Sequence, residues 1–254
     1  ARWSAADALL IDEAAGLLDR VPSYGHVIVD EAQDLSPMQC RMLARRCAHG
    51  SLTVLGDLAQ GTAPWAATDW RDTLAHLGRP GAPVVPLTTG FRVPAAVVAL
   101  ANRLLPALGV RVPEAVSLRR DGALEILAVE DLPAATVAAV RSALAFEGSI
   151  GVICADASAA SCTAALRAAG LAVVSTVDEG TDGGPDGDTL SDEDIRVSVV
   201  PATLAKGLEF DHVIVVEPAE IVQAEPRGLN RLYVVLTRAV SRLTVLHTAP
   251  LPLP

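Results

Sequence analysis

Short runs of β-branched residues alternate with segments of helical periodicity along most of this 254-residue chain. Strands are predicted at 26–30, 51–55, 84–87, 124–129, 150–154, 172–176, 195–200, 212–216 and 243–247, and helices at 7–18, 37–47, 69–77, 94–105, 133–146, 157–169 and 229–239. Short apolar strands in alternation with helices form parallel sheets that helices cover on both faces. The sequence therefore predicts an α/β fold.

The length of the chain is sufficient for two compact units. The stretch 109–122 contains proline and arginine residues and interrupts the alternation of strands and helices. We therefore predict a division into residues 1–112 and residues 113–254.

Most of the acidity of the chain lies in one segment. The net charge is −10, and the segment from Asp178 to Asp194 contains eight acidic residues and no basic one. Its content of Gly, Asp and Ser predicts a solvated loop. An acidic face does not favour tight nucleic-acid binding, because affinity for phosphates comes largely from clustered Lys and Arg.

The mean hydropathy of +0.38 makes a membrane location worth testing. The longest apolar stretch, 93–110, is interrupted by Pro94, Arg103 and Pro106, whereas a spanning helix needs about 20 nearly uninterrupted apolar residues. Acidic residues near the N-terminus argue against a secretory signal. The four cysteines show no C-x-x-C spacing, which is typical of reduced thiols. We expect a cytoplasmic protein with no membrane segment.

The run VIVDEAQD ends a predicted strand in two carboxylates, Asp30 and Glu31. Side chains at the carboxyl ends of parallel strands commonly hold ligands. Asp30 is suited to hold Mg²⁺ through water, and Glu31 is suited to orient or deprotonate an attacking water. The alternative is that the pair caps the next helix.

The next two predicted strands end in the sequences GDLAQ and LTTGFR. In the first, Gln60 is suited to sense a γ-phosphate, and Asp57 is suited to contact a metal-bound water or a neighbouring loop. In the second, Arg92 is suited to neutralise charge in a transition state, with a surface ion pair as the alternative. We expect three successive strands to bring these residues to the same sheet edge.

Two further motifs follow, ATLAKGLEFDHVIVV and LNRLYVVLTRA. The five motifs, in this order, closely resemble motifs II to VI of superfamily 1 helicases of the UvrD/Rep type. The resemblance covers nearly the whole chain and implies two RecA-like lobes with ATP between them, the first lobe being incomplete. A glycine-rich loop with a lysine on the phosphates is missing, since Lys206 is the only lysine in the chain.

The resemblance also implies a role for each motif residue. The implied catalytic residues are Glu31, Gln60 and two arginine fingers, Arg92 and Arg238. The implied metal ligands are Asp30 and Glu31, and the implied nucleotide contacts are Asp57, Gly207 near a phosphate and Glu209 near the ribose. The implied nucleic-acid contacts are Thr203 and Lys206. A structural ion pair is the alternative for Glu209 and Arg238.

The motif around Lys206 departs from the UvrD pattern. Pro201 and Thr203 occupy positions where UvrD-type proteins usually have a threonine and a histidine. This form looks like the HelD branch, whose members release bacterial RNA polymerase from nucleic acid in an ATP-dependent way. An aromatic content of 3% predicts a thin base-stacking track, and Trp65 is predicted to pack in the core.

The motifs together predict the C-terminal motor portion of an ATP-dependent helicase-like enzyme, inactive as this fragment alone. Its expected cofactors are ATP and Mg²⁺. Its expected partners are DNA, RNA polymerase, or both, together with a missing N-terminal part of the same polypeptide. The alternatives are a processive UvrD-type translocase on single-stranded DNA and a degenerate pair of lobes kept only for binding.

Overall fold

The computed structural model describes residues 3–47, 49–175 and 195–253. The chain forms two compact units, Ala1–Pro86 with Gly109–Val112 and Leu87–Leu108 with Pro113–Pro254. Residues 87–108 thus belong to the second unit, whereas the division predicted after residue 112 placed them in the first. Residues 87–108 join the second unit because their strand, Thr89–Gly90, pairs in parallel with Val116–Ser117. The acidic segment 178–194 lies outside the described residues, so its predicted loop stays a prediction.

The first unit is built on a small parallel sheet. In order, its helices and strands are α1 (Ala5–Leu18), β1 (Val27–Val29), α2 (Pro37–Arg45), β2 (Leu52–Val54) and α3 (Trp70–His76). Strands β1 and β2 pair in parallel, and α2 makes the crossover connection that parallel strands require. A single turn of 3₁₀-helix follows each strand, at Ala32–Asp34 and at Leu58–Gln60.

Polar contacts hold α1. The hydroxyl of Ser4 accepts a hydrogen bond from the Asp7 N–H, and the Asp7 carboxylate accepts one from the Ser4 N–H, which forms a capping box. Asp12 forms ion pairs with Arg45 and Arg46 of α2. Hydrogen bonds from these arginines, Arg46 first, lower the pKa of Asp12 to about 2. No residue of α1 is buried, so charge rather than apolar burial attaches this helix.

The second unit contains a six-stranded, all-parallel sheet. In order, its elements are β3 (Thr89–Gly90), α4 (Ala95–Asn102), α5 (Leu105–Leu108), β4 (Val116–Ser117), β5 (Ala123–Ala128), α6 (Leu132–Ala143), β6 (Ile150–Cys154), α7 (Ala159–Ala168), β7 (Val174–Ser175), β8 (Val197–Pro201), β9 (Phe210–Val216), α8 (Pro218–Gln223), α9 (Gly228–Leu236) and β10 (Ala239–His247). The strand order is β5-β10-β9-β6-β8-β7, with β3 and β4 in a separate pair.

Helices cover both faces of this sheet. Val152 of β6 lies beside Val199 and Ile214, and all three pack in one cluster with residues of α6 and α7. On the opposite face, Val245 packs near Leu232 of α9. Full burial of such side chains contributes about 1.5–3 kcal/mol each. The predicted α/β class, with parallel strands flanked by helices, is confirmed.

Two element predictions were wrong. The described stretch 84–87 is not a strand, because Pro83 and Pro86 remove backbone donors on both sides and Val85 is 74% exposed. The predicted helix 94–105 is divided into α4 and α5, and Pro106 in the first turn of α5 suits the start of a new helix. Across the described ranges, no helix is both long enough and apolar enough to cross a membrane.

Candidate functional site

The carboxyl end of β1 presents the two carboxylates of the VIVDEAQD run. Asp30 directly follows β1, and its Oδ1 accepts a hydrogen bond of 2.8 Å from the Glu31 N–H. Glu31 has φ 54° and ψ 33°, a left-handed conformation that costs a non-glycine residue about 1–3 kcal/mol. Helix α2 takes its cap from Ser36, so the acidic pair does not cap this helix. Glu31 stands at the N-cap position of the 3₁₀ turn Ala32–Asp34, without a capping bond from its side chain.

A buried amide that the sequence analysis did not select holds Glu31. Gln33 is fully buried. Its Nε2 donates to Glu31 Oε2 at 2.6 Å, and its Oε1 accepts from the Asp57 N–H at 3.1 Å. The side chain therefore joins the loop after β1 to the loop after β2. The glutamine of the DEAQD run was the available signal, but spacing alone did not show where its amide points.

The loop after β2 carries the other two predicted residues of the first unit. Gln60 Nε2 donates to Asp57 Oδ2 at 3.0 Å, and Asp57 Oδ1 accepts from the Ala59 N–H at 2.9 Å. The structure thus brings Glu31, Asp57 and Gln60 into one hydrogen-bonded row through Gln33. Asp30 lies next to this row in sequence and at the same strand end.

The tryptophan after this loop is not in the core. Trp65 is 55% exposed, which contradicts the predicted core packing. Its Nε1–H donates to the Asp34 backbone carbonyl at 2.8 Å, while Asp34 Oδ1 accepts from the N–H groups of Thr62 and Ala63 at 2.9 Å each. The indole N–H therefore has a protein partner although much of the ring stays exposed.

Arg92 does not lie on the same sheet as the carboxylates. It follows β3, which pairs with β4 in the second unit, so the expectation that three strands share one sheet edge was wrong. Within the second unit, Arg92 Nη1 forms an ion pair with Glu209 Oε1, and both side chains remain roughly half exposed. Arg119 Nη1 donates to the backbone carbonyl of Arg92 at 2.9 Å and anchors the loop.

Arg238 lies between the end of α9 and the start of β10, not within a helix as predicted, and is buried, with 4% exposure. Its Nε donates to the Val234 carbonyl at 3.0 Å, its Nη1 to the Leu208 carbonyl at 3.3 Å, and its Nη2 to Thr237 Oγ1 at 3.2 Å. The guanidinium therefore supports the loop that carries Glu209. The second unit thus brings Arg92, Glu209 and Arg238 to the ends of neighbouring elements.

The remaining predicted residues lie on the loop from β8 to β9. Thr203 Oγ1 donates to the Asp156 carboxylate, whose Oδ1 also accepts from the Thr203 N–H at 3.2 Å. Gly207 has φ 83° and would place a Cβ in open space, so backbone conformation rather than crowding favours glycine there. Lys206 precedes it and is partly buried.

The last residue of the KGLEFD run has a structural role. Asp211 Oδ2 accepts hydrogen bonds from the Ser149 N–H at 2.8 Å and from the Ser149 hydroxyl at 3.0 Å. The backbone bond from Ser149 is the main cause that lowers the pKa of Asp211. A Cβ on Gly148 would lie 2.4 Å from Asp211 Oδ2. Asp211 thus fixes the start of β9 to the loop before β6.

The carboxylates that the structure describes in the first unit do not form a cage that would enclose a metal ion. Within the described ranges, no group of three or more His, Cys, Asp or Glu side chains is placed to hold a metal ion. Mg²⁺ usually takes only one or two carboxylates and completes its octahedron with waters and substrate phosphates. Asp30 has this character, because its carboxylate is exposed and engages the Glu31 N–H with one oxygen.

No model of a known protein family matches the chain, and no curated protein matches it. Among solved structures, it is similar to the C-terminal domain of a possible DNA helicase from Lactobacillus plantarum WCFS1, with 22% identity and a TM-score of 0.42 over 64% of this chain and 89% of that chain. It is also similar to Arterivirus nonstructural protein 10, a helicase, in a complex with DNA (19% identity, TM-score 0.44) and in a second crystal structure (16%, 0.47). Both Arterivirus matches cover 89% of this chain, which spans 40% of the length of each helicase chain. The roles of the site residues therefore rest on their own geometry.

Proposed function

We propose that this chain is the C-terminal motor portion of an ATP-dependent, superfamily 1 helicase-like enzyme. The observation that carries the proposal is the hydrogen-bonded row Glu31–Gln33–Asp57–Gln60 at the carboxyl end of the first sheet. Loops at this end of parallel strands are where α/β folds hold their ligands. The row also follows the order of the motifs that suggested the resemblance.

The row has the chemistry that hydrolysis of a phosphoanhydride needs. Glu31 is an exposed carboxylate with one oxygen held by an amide, which suits a group that orients or deprotonates a water. Gln60 carries a neutral amide that can exchange its hydrogen bond with Asp57 for one with a γ-phosphate. The carboxylate of Glu31 therefore suits the role of the base, and the neutral amide of Gln60 suits the role of the phosphate sensor.

In this proposal the positive charge comes from two arginines of the second unit, Arg92 and Arg238. Arg92 is roughly half exposed and is neutralised by Glu209, so a phosphate can compete for its guanidinium in an exposed ion pair of low stability. We assign Arg92 the role of an arginine finger, which stabilises charge that develops during transfer. Arg238 acts as a second finger only after it exchanges its carbonyl partners, such as Leu208, for phosphate oxygens.

ATP and Mg²⁺ are the proposed cofactors. Asp30 would hold the metal ion, which would supply neutralising charge to the phosphates of the nucleotide. Gly207 offers an open approach to a phosphate because its missing Cβ would face empty space. Glu209 would contact the ribose, and Arg92 would then exchange its ion pair with Glu209 for the phosphates.

We also propose that further polypeptide of the same protein completes the first unit. Parallel sheets are normally buried on both faces, yet Ile28 at the centre of β1 is 70% exposed. The only lysine, Lys206, lies in the second unit, so a lysine that holds the phosphates has to come from that additional part. This chain alone is accordingly proposed to be inactive, and the full-length enzyme to be cytoplasmic.

The sequence around Pro201 and Thr203 favours a HelD-type enzyme that remodels nucleic-acid or RNA polymerase complexes. One observation favours the second candidate, a UvrD-type translocase on single-stranded DNA. Trp65 is 55% exposed, and stacking of a base on an exposed aromatic ring contributes about 1–3 kcal/mol. Thr203 and Lys206 are the proposed backbone contacts of either enzyme.

ATP turnover by the full-length protein tests the proposal. We expect turnover that depends on Mg²⁺ and rises with either single-stranded DNA or RNA polymerase. A polymerase effect without unwinding of a tailed duplex supports the HelD-type enzyme, and DNA stimulation with unwinding supports the translocase. No turnover with either partner contradicts the motor proposal and leaves a binding-only pair of lobes.

A matched pair of variants tests the contribution of Trp65. Trp65→Ala removes the ring and is expected to weaken single-strand stimulation by about 5- to 100-fold, while Trp65→Phe keeps a stacking face and only loses the bond to the Asp34 carbonyl. Equal stimulation in all three proteins removes Trp65 from the nucleic-acid interface.

A further inference from the structure

We propose that Gln33 is a positioning residue that fixes the Glu31 carboxylate and couples it to the Asp57–Gln60 loop. This inference rests on the proposed function, because it assigns Gln33 a part in the reaction that Glu31 serves. Gln33 lies in the VIVDEAQD run, but the spacing of the motifs does not reveal which side chains form hydrogen bonds with each other.

The orientation of the Gln33 amide follows from the chemistry of its partners. Its Nε2 lies 2.6 Å from Glu31 Oε2, and its Oε1 lies 3.1 Å from the Asp57 backbone nitrogen. An ionised carboxylate only accepts and a backbone N–H only donates. A flipped amide would therefore place two acceptors together at one end and two donors together at the other.

The surroundings of Gln33 leave its amide little freedom. The side chain is fully buried, and the Gln33 carbonyl accepts from the Ala67 N–H at 3.1 Å. A Cβ on Gly56 would lie 2.3 Å from Gln33 Oε1 and 2.8 Å from the Trp70 ring. Glycine at this position is thus what makes room for the amide oxygen, and the amide in turn closes the space between the two loops.

This arrangement gives Gln33 two consequences for Glu31. The bond to Glu31 Oε2 restricts the rotation of an otherwise exposed carboxylate, which is the kind of orientation that a general base requires. The bond to the Asp57 N–H links that carboxylate to the loop after β2, in which the Asp57 side chain holds Gln60. A change at Gln60 when a γ-phosphate binds is thereby transmitted to the base through Asp57 and the buried side chain of Gln33.

Steady-state kinetics of the full-length protein test the inference. Gln33→Met keeps the volume and removes both bonds, and we expect kcat to fall by about 10- to 100-fold while nucleotide affinity changes by less than about threefold. Gln39→Met is the matched control, because Gln39 caps α2 through Ser36 and does not touch Glu31.

A double-substitution cycle separates positioning from general loss of structure. In a Glu31→Gln background, Gln33→Met is expected to change kcat by less than about threefold, because its effect passes through the absent carboxylate. A full 10-fold or greater loss in both backgrounds overturns the inference, as does an unchanged kcat in Gln33→Met alone. An effect as large for Gln39→Met also overturns it.

Amide hydrogen exchange of the 254-residue chain distinguishes this failure from failure of the proposed function. We expect faster exchange at the Asp57 N–H in Gln33→Met than in the wild type, and unchanged exchange there in Gln39→Met. Wild-type protein without any ATP turnover contradicts the motor proposal and the positioning role of Gln33 together. Normal wild-type turnover with unaltered exchange at Asp57 in Gln33→Met overturns the coupling alone.

Discussion

The two units differ in what stabilises the framework beneath their candidate functional residues. In the second unit, the arginines and Glu209 flank a six-stranded sheet whose strand β6 is buried along its whole length. In the first unit, the carboxylates follow a two-stranded sheet with an exposed centre, and the buried amide of Gln33 joins them to the next loop. Apolar packing thus stabilises the strands of the second unit, whereas directional hydrogen bonds join the two loops that carry the candidate residues of the first.

This contrast can be measured because the tryptophans report on one unit. All three, Trp3, Trp65 and Trp70, belong to the first unit, whereas most of the regular structure belongs to the second. Tryptophan fluorescence therefore follows the first unit during unfolding, and far-ultraviolet circular dichroism mainly follows the second. Non-coincident transitions are expected, because units with separate cores need not unfold together.

The largest expected difference is between two isoleucines at the centres of parallel strands. Ile153 of β6 is fully buried and Ile28 of β1 is 70% exposed. We expect Ile153→Ala to lower the free energy of unfolding of the second unit by about 2–5 kcal/mol, and Ile28→Ala to change that of the first by less than about 0.5 kcal/mol. Urea titrations followed by both signals test this pair. Equal losses of unfolding free energy in the two variants would contradict the difference between the units.

A buried carboxylate in the second unit is expected to give the next largest effect. Burial would raise the pKa of Glu217, but hydrogen bonds from the Thr248 hydroxyl and N–H and from the Ala249 N–H hold it below its ordinary value of 4.5. Its stabilisation is therefore complete above pH 4.5 and is lost as the pH falls further. Glu217→Gln should cost about 1.5–3 kcal/mol at pH 7 and flatten the acid dependence.

Circular dichroism in urea at several pH values measures this effect. A Glu217→Gln protein that loses stability on acidification as steeply as the wild type would exclude Glu217 as the responsible group. Glu220, exposed on the following helix, provides the control substitution Glu220→Gln.

The hydrogen-bonded row of the first unit can be disturbed from the side of Gly56. Gly56→Ala places a Cβ 2.3 Å from Gln33 Oε1, and overpacking of this kind costs about 1–3 kcal/mol. We expect an earlier fluorescence transition with little change in circular dichroism. Gly25→Ala is the control, since its Cβ would meet nothing within 4 Å. An equal shift of the fluorescence transition in both variants would mean that the space between Gly56 and the Gln33 amide is not closely packed.

The smallest effect is expected for the attachment of α1. Asp12→Asn removes the ion pairs with Arg45 and Arg46, and partly exposed pairs contribute about 0.2–1 kcal/mol. The contribution of Asp12 is present above its ordinary pKa of 3.8 and is lost as the pH falls towards about 2. Amide exchange within α1 should become faster in the variant. It should also become faster in wild-type protein at high salt.

The sequence predicted the α/β class and most strands of the second unit because continuous β-branched runs are typical of buried parallel strands. It failed at 84–87, where two prolines remove the backbone donors that a strand needs. It placed Asp30, Glu31, Asp57 and Gln60 at strand ends, as the structure does. It could not reveal the partner of Arg92 or the amide of Gln33, because these contacts depend on tertiary geometry rather than on periodicity.

Trp65 shows the same limit in another form. A large aromatic residue is usually more buried than exposed, and that tendency predicted core packing. The structure satisfies the indole N–H at the surface through the Asp34 carbonyl. A hydrogen bond to the backbone is invisible in the sequence, so neither the exposure nor the resulting nucleic-acid hypothesis could be derived from composition.

The central claim is that Glu31 is the base of an ATP-hydrolysing motor. The most direct test measures kcat and nucleotide affinity of the full-length protein with and without Glu31→Gln. We predict that ATP affinity is retained while turnover falls by about 10²-fold or more, as removal of a positioned base requires. Turnover that survives this substitution nearly unchanged would contradict the claim.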